Sequence, residues 1–104
     1  MDRLAQLETL LLEDPKDPFL HYAIALEYAS RGNKNEAIAR IEKLITDKPD
    51  YLGAYYQLGQ LYEQTQQNEK AITTYRTGTT LAQKSGNKKT LGELNEALWM
   101  LEEE

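Results

Sequence analysis

Apolar residues recur along the chain at the spacing of three and four residues that predicts amphipathic helices. In segment 17–31 they return every four residues, and this set comprises Leu20, Ile24 and Tyr28. Asp17 offers the side-chain oxygen that a helix N-cap needs, and Pro18 stands at the first helical position, where proline is favoured. Gly32 is a residue type that commonly follows the end of a helix. The pattern therefore predicts one helix over this segment.

Four more segments show the same periodicity. The first, 34–48, is followed by Pro49, which cannot continue a helix. Further helices are predicted over about 50–65, 68–84 and 87–102. The four apolar stripes are Ala37, Ile38, Ile41, Leu44 and Ile45; Tyr55, Leu58 and Tyr62; Ala71, Ile72, Tyr75 and Leu81; and Leu91, Leu94, Leu98 and Leu101. The sequence therefore predicts an all-α fold.

The chain also repeats itself, since Pro15 and Pro49 lie 34 residues apart and the same offset aligns further residues. The matched pairs are Tyr22 with Tyr56, Ile24 with Leu58, Ala25 with Gly59, Tyr28 with Tyr62, Ala37 with Ala71 and Ile38 with Ile72. Before them, Leu4, Leu7, Leu10 and Leu11 match Ile38, Ile41, Leu44 and Ile45. The last helix breaks the match, because Glu96 stands where Tyr28 and Tyr62 stand in the earlier copies. It reads as a terminal cap with a polar outer face.

These residues resemble a known family. Segment 55–62, Tyr-Tyr-Gln-Leu-Gly-Gln-Leu-Tyr, followed by Ala71-Ile72-Thr73-Thr74-Tyr75, is similar to a tetratricopeptide repeat, and segment 21–28 repeats it more loosely. The resemblance implies a small bacterial-type protein of paired antiparallel helices stacked into an α-α solenoid. We expect a single domain over 1–104, with a half repeat at 2–14, repeats at 17–49 and 51–84, and a capping helix at 87–102.

In that family the first helix of each hairpin lines a concave groove, which binds peptides or partner helices. The corresponding face here carries Phe19, Tyr22 and Leu26 on the first hairpin and Tyr56, Gln60, Glu63 and Gln64 on the second. An exposed apolar stripe suggests a partner protein or peptide with an apolar segment. The alternative is that the last helix or the amino-terminal segment of the same chain covers it. The leading prediction is a non-catalytic adaptor or scaffold.

A second function class comes from the amino-terminal half repeat, which lacks its partner helix. Leu4 lies on its packing stripe, and Leu12 widens the apolar surface beyond that stripe. Arrays this short are near the lower limit of stability, so an uncovered end favours association. The alternative prediction is therefore a structural subunit, assembled through this helix as a homodimer or within a larger complex.

Composition narrows the function classes further. The 104 residues include no Cys, one His, 12 basic and 17 acidic residues, for a net charge of −5. The negative charge disfavours nucleic acid as a partner, and no apolar run approaches the length of a membrane span. Absence of cysteine and of a secretory signal favours the cytoplasm.

Chemistry-bearing patterns are also missing from the sequence. His21 has no ligand or catalytic partner at helical spacing, so it is predicted to be a partly buried packing residue. We expect no catalytic residue, metal or cofactor. Trp99 is predicted to be partly buried at the edge of the last apolar stripe, and the alternative is an interface residue, since Trp is enriched at binding hot spots.

Overall fold

The helical periodicity is realised as six helices in a computed structural model, which describes residues 2–103. The helices are α1 Arg3–Glu13, α2 Pro18–Ser30, α3 Lys34–Asp47, α4 Gly53–Gln64, α5 Asn68–Ser85 and α6 Lys88–Glu102. The described residues contain no strand. The all-α prediction is confirmed, and the largest boundary difference is at α4. Its helix begins at Gly53 rather than near Asp50, because Tyr51 and Leu52 accept bonds of a short turn from Ala54 and Tyr55.

Side-chain caps fix the beginnings of two helices. Asp17 accepts a hydrogen bond from the Phe19 backbone N–H at 2.9 Å, and Pro18 occupies the first position of α2 as predicted. Asn87 accepts from the Thr90 N–H at 3.0 Å at the start of α6. Each cap satisfies one of the backbone donors that a helix leaves unpaired at its first turn.

Three helices end with the same backbone motif. An N–H beyond the helix bonds to a carbonyl five residues earlier, in the pairs Asn33 to Tyr28, Gln67 to Tyr62 and Asn87 to Ala82, at 2.9, 2.8 and 3.0 Å. The residue before each donor is left-handed: Gly32 at φ 88°, Gln66 at 59° and Gly86 at 72°. These are Schellman motifs. Gln66 is the one of the three that has a Cβ, and it lies 34 residues after Gly32.

The chain divides into two compact units, one ending at Pro49 and the other beginning at Asp50. In the first unit α2 packs against both α1 and α3. The buried cluster is Leu7, Leu20, Ala23 and Ile24, with Leu4, Leu11 and Tyr28 packed against it. Ala25 and Ala37 have no exposed surface, as their small size at a helix-helix contact predicts.

Polar contacts also join α1 to α2. Glu27 accepts ion pairs from Arg3 at 3.5 Å and Arg31 at 3.2 Å, and Arg31 also bonds Asp2. The hydrogen bond from Arg31 lowers the pKa of Asp2. Such exposed pairs contribute little, whereas burying a leucine such as Leu7 stabilises by about 1.5–3 kcal/mol. Apolar burial therefore holds α1 in place.

In the second unit α5 packs against both α4 and α6, and α6 also contacts α4. Gly59 of α4 lies directly against the Tyr75 ring, and Gly78 of α5 lies against Tyr55 and Leu94. Tyr75 and Leu94 are completely buried. The two glycines therefore allow helix backbones to approach around large side chains.

One sequence expectation is wrong. Trp99 is 63% exposed rather than partly buried, and its neighbour Met100 is 57% exposed. The buried stripe of α6 contains Leu94 and Leu101, so residues 99 and 100 lie on the other side of the helix. Whether all 104 residues act as one domain stays a prediction.

Candidate functional site

A cavity of about 310 Å³ lies between α4 and α6 in the second unit. Its lining residues are Tyr56, Gln60 and Glu63 of α4 and Glu93, Glu96, Ala97 and Met100 of α6. The α4 residues are spaced by four and three, which places them on one helix face. The structure thus brings together three of the four residues that the sequence assigned to the second hairpin's groove. The fourth, Gln64, is exposed and lies outside this lining.

Tyr75 fixes the α4 wall of the cavity from behind. Its hydroxyl donates to Glu63 Oε2 at 2.5 Å and accepts from Gln60 Nε2 at 2.6 Å. The ring lies 6.4 Å from the Tyr56 ring, at an interplanar angle of 41°. Burial raises the pKa of Tyr75 far above its ordinary value, and the hydrogen bond to Glu63 adds to this shift. Tyr75 therefore stays a neutral donor that orients Glu63 and Gln60.

The cavity is acidic with an apolar part. Three glutamates line it, and none of the lining residues within 2–103 is basic. Tyr56, Ala97 and the largely exposed Met100 provide apolar surface beside them. Such a surface suits a segment that carries both an apolar side chain and positive charge.

The predicted groove residues of the first unit lie on α2. Phe19 is 58% exposed, whereas Tyr22 and Leu26 are half-buried. Helix α1 packs on α2 through the cluster that includes Leu20, Ala23 and Ile24, which does not contain the predicted groove residues. The structure therefore places Phe19 at the surface as an accessible apolar side chain.

The two residues proposed for oligomer contact differ in their surroundings. Leu4 is half-buried and packs against the core cluster of its own chain. Leu12 is 84% exposed, and Leu10 is 49% exposed. Only Leu12 of the predicted pair presents most of its surface to solvent.

The described residues 2–103 hold no group of three or more His, Cys, Asp or Glu that could bind a metal ion. His21 is half-buried, and its Nε2 donates to the Pro15 carbonyl at 2.7 Å, which matches the packing role predicted for it. Within the same residues no helix is long and apolar enough to cross a membrane.

Sequence reasoning missed the contribution of α6 to the cavity. Glu93, Glu96, Ala97 and Met100 lie at spacings of three, one and three, which is the helical signal of a common face. The sequence predicts a polar outer face for α6 and the last helix as an alternative cover for the apolar stripe, but it predicts no wall shared with α4. The repeat offset does not extend to α6, so it could not align this face with α4.

Comparison with known proteins agrees with the helical repeat. A family model described as tetratricopeptide repeat matches residues 52–85. A crystal structure of a tetratricopeptide repeat domain protein from Salinibacter ruber is 42% identical, with a TM-score of 0.79 over 83% of this chain and 96% of that one. A solution structure of such a protein from the same organism is 43% identical, with a TM-score of 0.82 over 86% and 90%.

A more distant structure supports the fold alone. A protein from Bordetella parapertussis is 20% identical, and it superimposes with a TM-score of 0.86 over 99% of this chain and 90% of that one. No curated protein matches the chain.

Proposed function

Because the chain belongs to the tetratricopeptide repeat family, we propose that it is a non-catalytic adaptor or scaffold that binds a peptide or helix of a partner protein. The observation that carries this proposal is the cavity between α4 and α6. Tyr56, Gln60 and Glu63 line it together.

The chemistry of the cavity supports a basic amphipathic segment as the occupant. An apolar side chain would pack on Tyr56, Ala97 and Met100, and lysine or arginine side chains beside it would pair with the glutamates. Glu63 is held by Tyr75 at 2.5 Å, so its orientation costs little to fix when a partner binds. Phe19, Tyr22 and Leu26 of α2, and Gln64 of α4, remain further predicted contacts.

The proposal is tested by fluorescence anisotropy with a labelled helical peptide that carries leucine on one face and lysine beside it. The double variant Glu93→Gln with Glu96→Gln should lower the affinity about tenfold, because two charge contacts are lost. The matched control is Glu8→Gln with Glu69→Gln. It removes the same charge from exposed positions outside the cavity and should bind like the wild type.

Two results would contradict this assignment. One is equal affinity of both double variants for the peptide, which would show that the cavity is not part of the binding surface. The other is equal binding of a peptide whose leucines are replaced by serine, which would leave only non-specific charge attraction.

The negative charge of −5 supports a protein partner rather than nucleic acid, and we propose neither a nucleic-acid nor a membrane role. The cytoplasm is the proposed location. The proposed activity requires no cofactor.

A structural subunit is the second candidate, and the 84% exposure of Leu12 favours it. Leucine on a helix surface at this exposure is available for a contact with a second copy or another protein. Leu4 would support such a contact from within its own core rather than join it directly.

Sedimentation at micromolar concentration tests the homodimer form of this candidate. Wild type should sediment as a dimer and Leu12→Glu as a monomer, because a buried unpaired carboxylate would disrupt the contact. Gln6→Glu adds the same charge at an exposed α1 position and should remain dimeric. Monomeric behaviour of all three proteins would reject the homodimer.

A further inference from the structure

A second cavity, of about 390 Å³, lies at the end of the first unit where α2 begins and α3 ends. Its lining residues are Pro15, Lys16, Pro18, His21, Arg40, Lys43, Leu44, Asp47 and Lys48. We call it the basic cleft. Antiparallel packing brings residues 15–21 against residues 40–48, although the two segments are distant in sequence.

The charge of the basic cleft is opposite to that of the chain. Four of the 12 basic residues line it, and Asp47 is the only carboxylate among its described lining residues. Lys43 pairs with Asp47 at 3.2 Å, and Arg40 pairs with Glu36 at 2.8 Å. The cleft is therefore positive in a chain whose net charge is −5.

Two of the cations are available to a ligand. Lys16 and Lys48 are exposed, and neither side chain forms an ion pair or hydrogen bond with any residue in the described range. Arg40 is more constrained, because its guanidinium lies 4.7 Å from the centre of the Tyr28 ring as well as against Glu36. Lys16 and Lys48 thus provide the charge that the protein itself does not neutralise.

Local structure holds the apolar part of the cleft in place. His21 Nε2 donates to the Pro15 carbonyl at 2.7 Å, and Asp17 caps α2 at 2.9 Å. Pro15 and Pro18 have restricted backbones, and Leu44 is buried on the α3 side. A ligand would meet a preformed surface, so less ordering would oppose binding.

We propose that the basic cleft binds an acidic peptide segment with an apolar side chain next to its carboxylates. The apolar side chain packs on Pro15, Pro18 and Leu44, and the carboxylates pair with Lys16 and Lys48. This inference goes beyond the proposed function and does not rest on it, because the cleft lies in the other unit and selects the opposite charge.

An acidic peptide fits the cleft better than a nucleic acid does. A nucleic acid carries a long run of phosphates that extends beyond the cleft over a chain of net charge −5, whereas a short acidic peptide places its few carboxylates at the cleft. The cleft also lacks a Phe, Tyr or Trp among its described lining residues on which bases could stack. Its apolar floor instead suits a side chain beside a carboxylate.

The test is an anisotropy titration of the full chain with a labelled peptide of glutamate and leucine. The double variant Lys16→Glu with Lys48→Glu should lower affinity at least about tenfold. Lys88→Glu with Lys89→Glu makes the same charge change on the exposed first turn of α6 and should retain binding. Both pairs are exposed, and circular dichroism checks that helicity is unchanged.

Equal loss in both double variants would overturn the proposal, because the effect would then come from net charge alone. Equal binding of a peptide with glutamine in place of glutamate would also overturn it. A single-stranded RNA that binds more tightly than the acidic peptide would show that the cleft selects phosphates instead. The Lys16→Glu with Lys48→Glu variant should still bind the leucine and lysine peptide that tests the α4–α6 cavity. Failure of one proposal can therefore be distinguished from failure of the other.

Discussion

Among single residues, the tightest contact at a glycine is between Gly59 and Tyr75. A Cβ at position 59 would lie 2.1 Å from Tyr75 Cε1 and 2.6 Å from Cδ1. Tyr75 is completely buried and bonds Glu63 and Gln60, so its ring cannot move aside without disturbing the cavity wall. The glycine is therefore required by packing rather than by its backbone conformation.

Gly59→Ala should lower the free energy of unfolding by about 1–3 kcal/mol, because overpacking forces the ring or the helix to shift. Gly92→Ala is the matched control. Gly92 lies inside α6 with nothing within 4 Å of a built Cβ, and alanine there should raise stability by about 0.5–1 kcal/mol. Urea unfolding measures both. A Gly59→Ala protein as stable as the wild type would contradict the packing account.

Tyr75 also makes stability sensitive to alkaline pH. The unfolded chain releases the Tyr75 proton near the ordinary pKa of 10.0, whereas burial keeps the native hydroxyl protonated well above this value. Above that pH the native state binds more protons than the unfolded state, so stability falls as pH rises. Below it the contribution of Tyr75 is fully present.

We expect Tyr75→Phe to lose about 1–2 kcal/mol near pH 8, from the hydrogen bonds to Glu63 and Gln60. Between about pH 10 and about pH 11 the wild type should lose roughly 1 kcal/mol more than the variant. Tyr55, whose pKa is also raised by burial, is present in both proteins and cancels in the comparison. Parallel pH profiles in urea unfolding would contradict this assignment.

At the scale of helices and turns, Gly32 and Gln66 occupy the same left-handed position in two copies of the Schellman motif. Both are left-handed, at φ 88° and 59°, but only Gln66 has a Cβ in that conformation. A left-handed residue other than glycine costs roughly 1–2 kcal/mol. The turn between α4 and α5 is therefore the more strained of the two hairpin turns.

Gln66→Gly should raise the free energy of unfolding by a few tenths to about 1 kcal/mol, the relieved strain less the added chain entropy. Gly32→Ala should lower it by about 1 kcal/mol. The cause there is the left-handed backbone rather than a steric clash, since nothing lies within 4 Å of a Cβ at position 32. Thermal unfolding of the two variants provides the measurement. The two variants should change the free energy of unfolding in opposite directions. Changes in the same direction would show that left-handed backbone strain does not determine stability at these turns.

The helices themselves could be predicted from periodicity, Asp17, Pro18 and Gly32, because these signals are local. The exact start of α4 could not, since Tyr51 and Leu52 form a turn that no cap residue marks. Trp99 was misplaced because its neighbour Leu98 belongs to the apolar stripe, while helix geometry puts residues 98 and 99 about 100° apart.

At the scale of the whole molecule, composition describes one acidic chain, whereas the described residues 2–103 form cavities of opposite charge. Glu63, Glu93 and Glu96 line one, and Lys16 and Lys48 contribute to the other. The repeat could predict the α4 wall of the first cavity. Neither the α6 wall nor the basic cleft was predictable, because each depends on helix packing between segments that carry no shared motif.

The central claim is that the α4–α6 cavity binds a basic amphipathic segment of a partner protein. Amide chemical-shift mapping on the isotope-labelled full chain, titrated with the leucine and lysine peptide, tests it most directly. The account predicts that the largest shifts fall on residues of α4 and α6 around Tyr56, Gln60, Glu96 and Met100. Saturable shifts confined to other residues, or no shifts at all, would contradict it.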